Sequence, residues 1–209
     1  MTASAKPIAI AGAGGFAREV LWLLEELGLA GRVAMFCESD DIWRARDVAD
    51  IPVLPISRLP HDAHVVIGIG NPAARRDLVA QLPADTHYPT FVHPNVRMGR
   101  RVEIGAGSVI CAGSILTCDI VLAGHAQLNL ATTVGHDCRL ERFVTTGPAV
   151  NISGKCVLGE AAYLGTNACV REGINIASGA TVGMGAVVVR DLPAAGVYAG
   201  NPARALQKP

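Results

Sequence analysis

The chain has 209 residues, enough for one large domain or two small ones, and half of them are apolar, so a sizeable core is available. Its 18 basic and 18 acidic side chains cancel, and neither sign forms a long run. That argues against nucleic acid as a partner, because phosphate binding leaves a basic footprint. No stretch reaches the roughly 18 consecutive apolar residues that would span a bilayer, so no membrane partner is expected. The first residues run straight into Ile8-Ala9-Ile10-Ala11, which reads as a strand rather than as a signal peptide. The six cysteines, at 37, 111, 118, 138, 156 and 169, form no CxxC pair, and no metal site is expected from them. Free thiols fit a cytoplasmic protein.

In chain order, Ile8–Ala11 reads as a buried strand, followed by the turn Gly12-Ala13-Gly14-Gly15-Phe16-Ala17. From Arg18 to Leu29 the apolar residues Val20, Leu23, Leu24 and Leu27 recur at helical spacing. Further strands are predicted at Val33–Cys37 and Val65–Ile69, and a helix over Asn71–Leu82. These elements make a small, half-Rossmann-like βαβ unit with a parallel sheet over residues 1–90. The turn fits G-x-G-x-x-[GA], and Glu38 follows about twenty residues on, at the end of the second strand. Three readings are open: a dinucleotide site, a purely structural turn, or a nucleotide-sugar or similar small ligand. The last is preferred, because the unit is half of a full dinucleotide fold and backbone N–H groups at a helix N-terminus favour anions.

From Met98 a different grammar begins. Every sixth residue is aliphatic through Ile104, Ile110, Leu116, Leu122, Leu128, Val134 and Leu140, and again from Ile152 through Val188, with Thr146 the one polar exception. Two residues earlier in each hexad a second series is small or β-branched, as at Ala126, Cys138, Cys156 and Ala162. Glycine follows the aliphatic position at 99, 105, 135, 147, 159, 165 and 183, where it is expected to supply the corner torsion and allow close approach. Two inward residues per hexad build a stem of alternating large and small side chains, and each coil satisfies its backbone on its neighbours. The register predicts a parallel β-helix over residues 91–209, including the C-terminal tail.

The run Val102-Glu-Ile-Gly through Thr181-Val-Gly, ending in Gly200-Asn-Pro-Ala-Arg204, resembles the left-handed β-helix acyltransferases. Three hexads per turn in that family imply about five coils. With the Gly-Ala-Gly-Gly turn and Ile67-Gly-Ile-Gly-Asn71 with Arg75 beyond, nearly the whole chain is similar to the sialic acid O-acetyltransferase and UDP-4-amino-sugar N-acetyltransferase family. The resemblance implies an acetyl-CoA-dependent acyltransferase that acts on a sugar or nucleotide-sugar acceptor. It also implies a homotrimer with active sites between subunits. Gly14, Gly15, Phe16, Glu38 and Asn71 are then expected to line the acceptor pocket. Phe16 stands where many members carry His, and Glu38-Ser39 where many carry an Asp pair.

Acetyl transfer needs a base, donors for the oxyanion and alignment of two substrates. His136 follows inward Val134 and corner Gly135, so it should project outward. The stretch Val-Gly-His-Asp-Cys138 matches the one that carries the family's catalytic His. Asp137 is placed to hold its tautomer, and Asn129 matches a family position that orients the acceptor or the imidazole. His125 is expected at a similar outward position, as a surface or substrate-adjacent residue. By resemblance Gly154, one coil after His136, offers its N–H to the acetyl carbonyl; Gly165, Thr166, Gly183 and Met184 flank the pantetheine arm; and Arg190 or Arg204 meets the CoA phosphates. Thr145 stands where many relatives have a second His. A zinc hydrolyase on the same scaffold would need three imidazoles, and the coil holds only His125 and His136. N-acetylation of an amino sugar nucleotide is the preferred reaction. O-acetylation of a sugar hydroxyl and a non-catalytic binding module are the alternatives. The outer residues Leu130, Phe143, Thr145 and Tyr163 are expected to be free to pack against other copies.

Overall fold

A computed structural model describes residues 6–206, so the extreme ends of the two predicted units, 1–5 and 207–209, lie outside the described residues. Strand β1 (Ile8–Ala11) leads into helix α1 (Gly15–Glu26), followed by β2 (Val33–Glu38), β3 (Arg46–Val48), β4 (Ile51–Pro55), β5 (His64–Ile67) and helix α2 (Pro72–Gln81). The sheet order is β3-β4-β2-β1-β5, parallel except where β3 returns along β4. The β3–β4 hairpin is absent from the sequence reading because its β3 residues, Arg46-Asp47-Val48, carry no apolar alternation. α1 begins three residues earlier than predicted, at Gly15, because the glycine turn itself forms the first helical turn.

The remainder is a three-sided column of short parallel strands. One face runs from Phe91–Val92 through Gln127–Leu128 and Thr145–Thr146 to Gly196–Ala199, with Arg204–Ala205 added antiparallel; a second carries Thr133–Val134, and a third Arg139–Leu140. Partners are eighteen residues apart in the coils up to Val187–Val188, as in Gln127 opposite Thr145 and Leu140 opposite Leu158, whereas Gly196–Ala199 pairs with Ala180–Val182 at a spacing of sixteen. The aliphatic series points inward: Leu116, Leu128, Val134, Leu140, Leu158 and Leu164 are wholly buried, and Ala126, Cys156 and Ala162 fill the narrower positions between them. All six cysteines are free thiols.

The corner chemistry differs from the expectation in one respect. The glycine after each aliphatic residue does not have positive φ; the left-handed residue comes two positions later and is mostly not glycine, as at Asp119, His125, Ala131, Asp137, Phe143 and Lys155. What the glycine supplies is approach. A Cβ on Gly135 would stand 2.5 Å from the Gly154 nitrogen of the next coil.

The sheet and helices of the first unit sit on the first face of the column. Ala17, Val20 and Leu24 of α1 share a core with Phe91, Val109 and Cys111 of the coil, with Leu130 packed at its edge. Arg75 of α2 is completely buried across the same junction and donates to the carbonyls of His125 and Phe143 on the column. This junction overturns two surface expectations. Phe143 and Thr145 are 3% and 5% exposed, covered by the first unit rather than free for another copy. Leu140→Ala opens a cavity in the column and should lower unfolding free energy by about 2–5 kcal/mol in urea titration, with an unchanged parallel β signature by circular dichroism.

Candidate functional site

Two neighbouring cavities lie around the junction. The smaller, about 320 Å³, is bounded by the glycine turn, Cys37-Glu38-Ser39, Ile42 and Gly68-Ile69-Gly70. The larger, about 690 Å³, lies between α1, the start of α2 and the outer surface of the first face, with Asn129, Thr145, Thr146, Tyr163 and Thr181 on its coil side. Phe16 and Gly70 line both, so the two cavities adjoin at these residues.

The glycines of the turn divide by role. Gly12 has φ +108°, and a Cβ there would press on the Gly68 carbonyl at 3.0 Å, so its glycine is structural. Gly14 and Gly15 have no such φ, and a Cβ on either would meet nothing within 4 Å. Packing therefore does not require glycine at these two positions. They leave the first N–H groups of α1 open, and Gly14 caps the helix with no side chain. Glu38 lines the smaller cavity, but both its oxygens are taken by Arg46, at 2.9 and 2.7 Å, from the hairpin that the sequence reading missed. Asn71 lines the larger cavity while capping α2: its Oδ1 accepts from the Ala74 N–H at 3.0 Å.

Asn129 is fixed on every side. Its N–H donates to Thr146 Oγ1 at 3.1 Å, and its carbonyl accepts from Thr132 Oγ1 at 2.8 Å and Ser114 Oγ at 3.2 Å. Thr132 and Thr146 pair inside the column at 2.8 Å. Thr146, the single polar break in the aliphatic series, thus serves as an internal peg for Asn129. The Asn129 Oδ1 accepts from the Leu130 N–H at 2.7 Å, so the amide NH₂ is the group left to face the cavity. Thr145 Oγ1 accepts from Arg75 Nη2 at 2.7 Å, which leaves its hydroxyl proton as a donor. The coil side of the cavity therefore offers donors at Asn129 and Thr145.

His136 does not line either cavity. It occupies the corner between Thr133–Val134 and Arg139–Leu140, which belong to the other two faces, so it stands on the edge opposite the cavity face. Its Nδ1 is 2.8 Å from Asp137 Oδ2. A carboxylate can only accept, so Nδ1 carries the proton and Nε2 the lone pair. Asp137 occupies the left-handed corner position, with φ +58°. A Cβ on Gly154 would lie 2.6 Å from His136 Cε1 and Nε2, and the Gly154 N–H makes no backbone hydrogen bond among the described residues. On a different edge, where the cavity face meets the Thr133–Val134 face, Gly165–Thr166 and Gly183–Met184 occupy successive corners; a Cβ on Gly165 would meet the Met184 nitrogen at 2.7 Å, Met184 is 80% exposed, and Arg204 is exposed near the end of the described residues.

His125 corrects the sequence reading. It occupies the left-handed corner position, φ +59°, equivalent to Asp137 rather than to His136. It is 6% exposed, stacked on Phe143 with centroids 5.1 Å apart and edge-on to Tyr88 at 4.7 Å. Burial, with Arg142 and Arg75 adding to it, lowers its pKa from 6.5 to about 4, and its Nδ1 has no hydrogen-bond partner among the described residues. Sequence reasoning also passed over Gln127 and the junction role of Arg75, which no local pattern marks because their contacts join residues more than fifty positions apart. Burial pushes the Cys37 and Cys111 thiols up to about 12, so both stay protonated and unreactive. Among the described residues no three His, Cys, Asp or Glu side chains gather as a metal site.

Because folded His125 resists protonation, the unfolded chain binds the extra proton between pH about 6.5 and about 4. Its contribution to stability is full above that window and is lost as pH falls through it. His125→Phe should flatten that part of the acid limb in urea unfolding; an unchanged limb would remove His125 as its source. Gly154→Ala should displace the His136 ring, with loss of any activity that depends on it and a small change in melting temperature.

The family model described as the PglD N-terminal domain matches residues 7–82. Across 216 aligned positions the chain is 27% identical to GDP-perosamine N-acetyltransferase of Escherichia coli O157:H7, covering 95% of this chain and 96% of that protein. The acetyltransferase domain of PglB from Neisseria gonorrhoeae FA1090, solved in complex with acetyl coenzyme A, is 33% identical with a TM-score of 0.85, covering 96% of this chain and 99% of that one. PerB from Caulobacter crescentus, solved with CoA and GDP-perosamine, is 29% identical with a TM-score of 0.87, covering 96% and 97%.

Proposed function

The chain belongs to the hexapeptide-repeat acetyltransferases and uses acetyl-CoA as its acyl donor, and from that premise we propose that it N-acetylates the amino group of a nucleotide-linked amino sugar. The observation that carries this reading is the adjacency of the two cavities at Phe16 and Gly70. A nucleotide diphosphate fits the smaller one, where Gly14 and Gly15 leave the α1 N-terminus open to an anion. The sugar then extends into the larger one, against Asn71 and the donors of Asn129 and Thr145. The relatives that act on GDP-perosamine support an amino sugar as the acceptor class.

Bound acetyl-CoA supplies an acyl carbon already activated as a thioester. Nε2 of His136 takes the proton that the amine gives up as the new C–N bond forms, and returns it to the departing thiolate sulfur. Asp137 holds the ring so that Nε2 is the basic nitrogen throughout. The open Gly154 N–H beside the ring is placed to donate to the acyl oxygen. Gly165, Thr166, Gly183 and Met184, on the edge between the cavity face and the Thr133–Val134 face, flank the pantetheine arm, and Arg204 supplies a cation for its phosphates.

His136 stands opposite the cavity face of its own column, so the site is completed by the imidazole of another copy. A cyclic homotrimer satisfies this requirement. The same reading takes the column as left-handed with about five coils, residues 1–90 as the acceptor domain with residues 91–209 as the acyltransfer domain, and the cytoplasm as its location.

Thiol release from acetyl-CoA, measured with a panel of UDP-, GDP- and dTDP-amino sugars and the matching hydroxyl sugars, tests the reaction. Release with an amino sugar, and none with its hydroxyl counterpart, is expected. His136→Ala should slow turnover by about 10²–10⁴-fold and leave CoA affinity unchanged; full activity in that variant would refute the base.

A further inference from the structure

Arg75 is the largest wholly buried side chain, and its guanidinium has no carboxylate partner among the described residues. It is nevertheless saturated. Nε donates to the His125 carbonyl at 3.1 Å, Nη1 to the Ile69 carbonyl at 2.8 Å and Gln127 Oε1 at 2.7 Å, and Nη2 to the Phe143 carbonyl and Thr145 Oγ1, both at 2.7 Å. A buried cation without a counter-ion is costly. Main-chain carbonyls alone would serve to tie α2 to the column, yet two of its acceptors, Gln127 and Thr145, are side chains that line the larger cavity.

Those two contacts set the polarity of the cavity wall. A guanidinium has no acceptor atom, so Thr145 Oγ1 accepts, and the only hydrogen bond its hydroxyl makes among the described residues is that one. Its proton is left to donate outward, and the adjacent positive charge makes it a stronger donor. Gln127 is fixed in the same way, with Oε1 held by Arg75 and Nε2 donating to the Ile67 carbonyl at 2.7 Å.

We propose that Arg75 is a positioning residue for acetyl transfer: by occupying the acceptor side of Thr145 Oγ1, it makes that hydroxyl an obligatory donor to an oxygen atom of the bound acceptor sugar. This rests on reading the larger cavity as the acceptor site.

The test is a double-mutant cycle read in two quantities, kcat/KM for the acceptor and melting temperature. Thr145→Val should lower kcat/KM by roughly 10- to 100-fold with CoA affinity unchanged, and Thr145→Ser should recover most of the loss. Arg75→Lys keeps the charge but not the five-donor fork, and should lower both kcat/KM and melting temperature. In the Thr145→Val background the further kcat/KM loss from Arg75→Lys should shrink to within about 3-fold, while its loss of melting temperature persists in full. If Arg75→Lys slows the Val variant as much as it slows the unmodified enzyme, the guanidinium acts as a staple only and the proposal fails. Should Arg75→Lys not fold, the Thr145 pair decides, since equal activity of Val and Ser removes the hydroxyl from the mechanism. An unmodified enzyme that transfers acetyl to no amino sugar overturns the acceptor-site reading itself, a result distinct from additivity among active variants.

Discussion

Stacking in register is the constraint from which the rest of the structure follows. Strand pairs in the coils up to Val187–Val188 join residues eighteen apart, so each inward side chain is packed by the coils above and below it. Close passage of Gly135 against Gly154 holds successive corners a few ångströms apart. An outward side chain at a corner is thereby placed with the precision of a packed core, which suits chemistry that depends on alignment. His136 and Gly154 use this directly: the ring lies over a position where any side chain would collide with it.

The same rigidity makes each departure from the repeat informative. A threonine inside an aliphatic stem forfeits packing and needs a hydrogen-bond partner. Thr146 meets that need with Thr132 and the Asn129 N–H, and in doing so locks a cavity residue from within. Arg75 does the corresponding work from outside. It carries the first unit's helix onto the column through carbonyls that the corners leave available, and the cavity is the space left between the two bodies.

Much of the architecture was legible because it is periodic. The aliphatic series, the small series and the glycines all recur every six residues, and local pattern determines them. The αβ unit was legible for a similar reason, from helical spacing in α1 and apolar runs in β1, β2 and β5. The hairpin Arg46–Pro55 was not, since its strands are stabilised by pairing on β2 and by Arg46 on Glu38 rather than by their own pattern. His136 and Asp137 were found from their neighbours in sequence, and their contact is local. His125 was misread because its burial comes from Tyr88, far away in the chain. Thr145 and Gln127 became site residues only through Arg75, which lies seventy and fifty-two positions away, a separation that no periodicity reports.

In the proposed mechanism the acceptor cavity of one copy works with the imidazole of another. Mixed oligomers measure this most directly. His136→Ala lacks the base, and Thr181→Trp fills the cavity; each alone should be inactive. Co-assembled in equal amounts, the two should regain about a quarter of the unmodified activity, because random mixing pairs an intact cavity with an intact imidazole at that frequency. Activity that stays at the level of the separate variants after confirmed co-assembly would contradict the account and place base and cavity within a single chain.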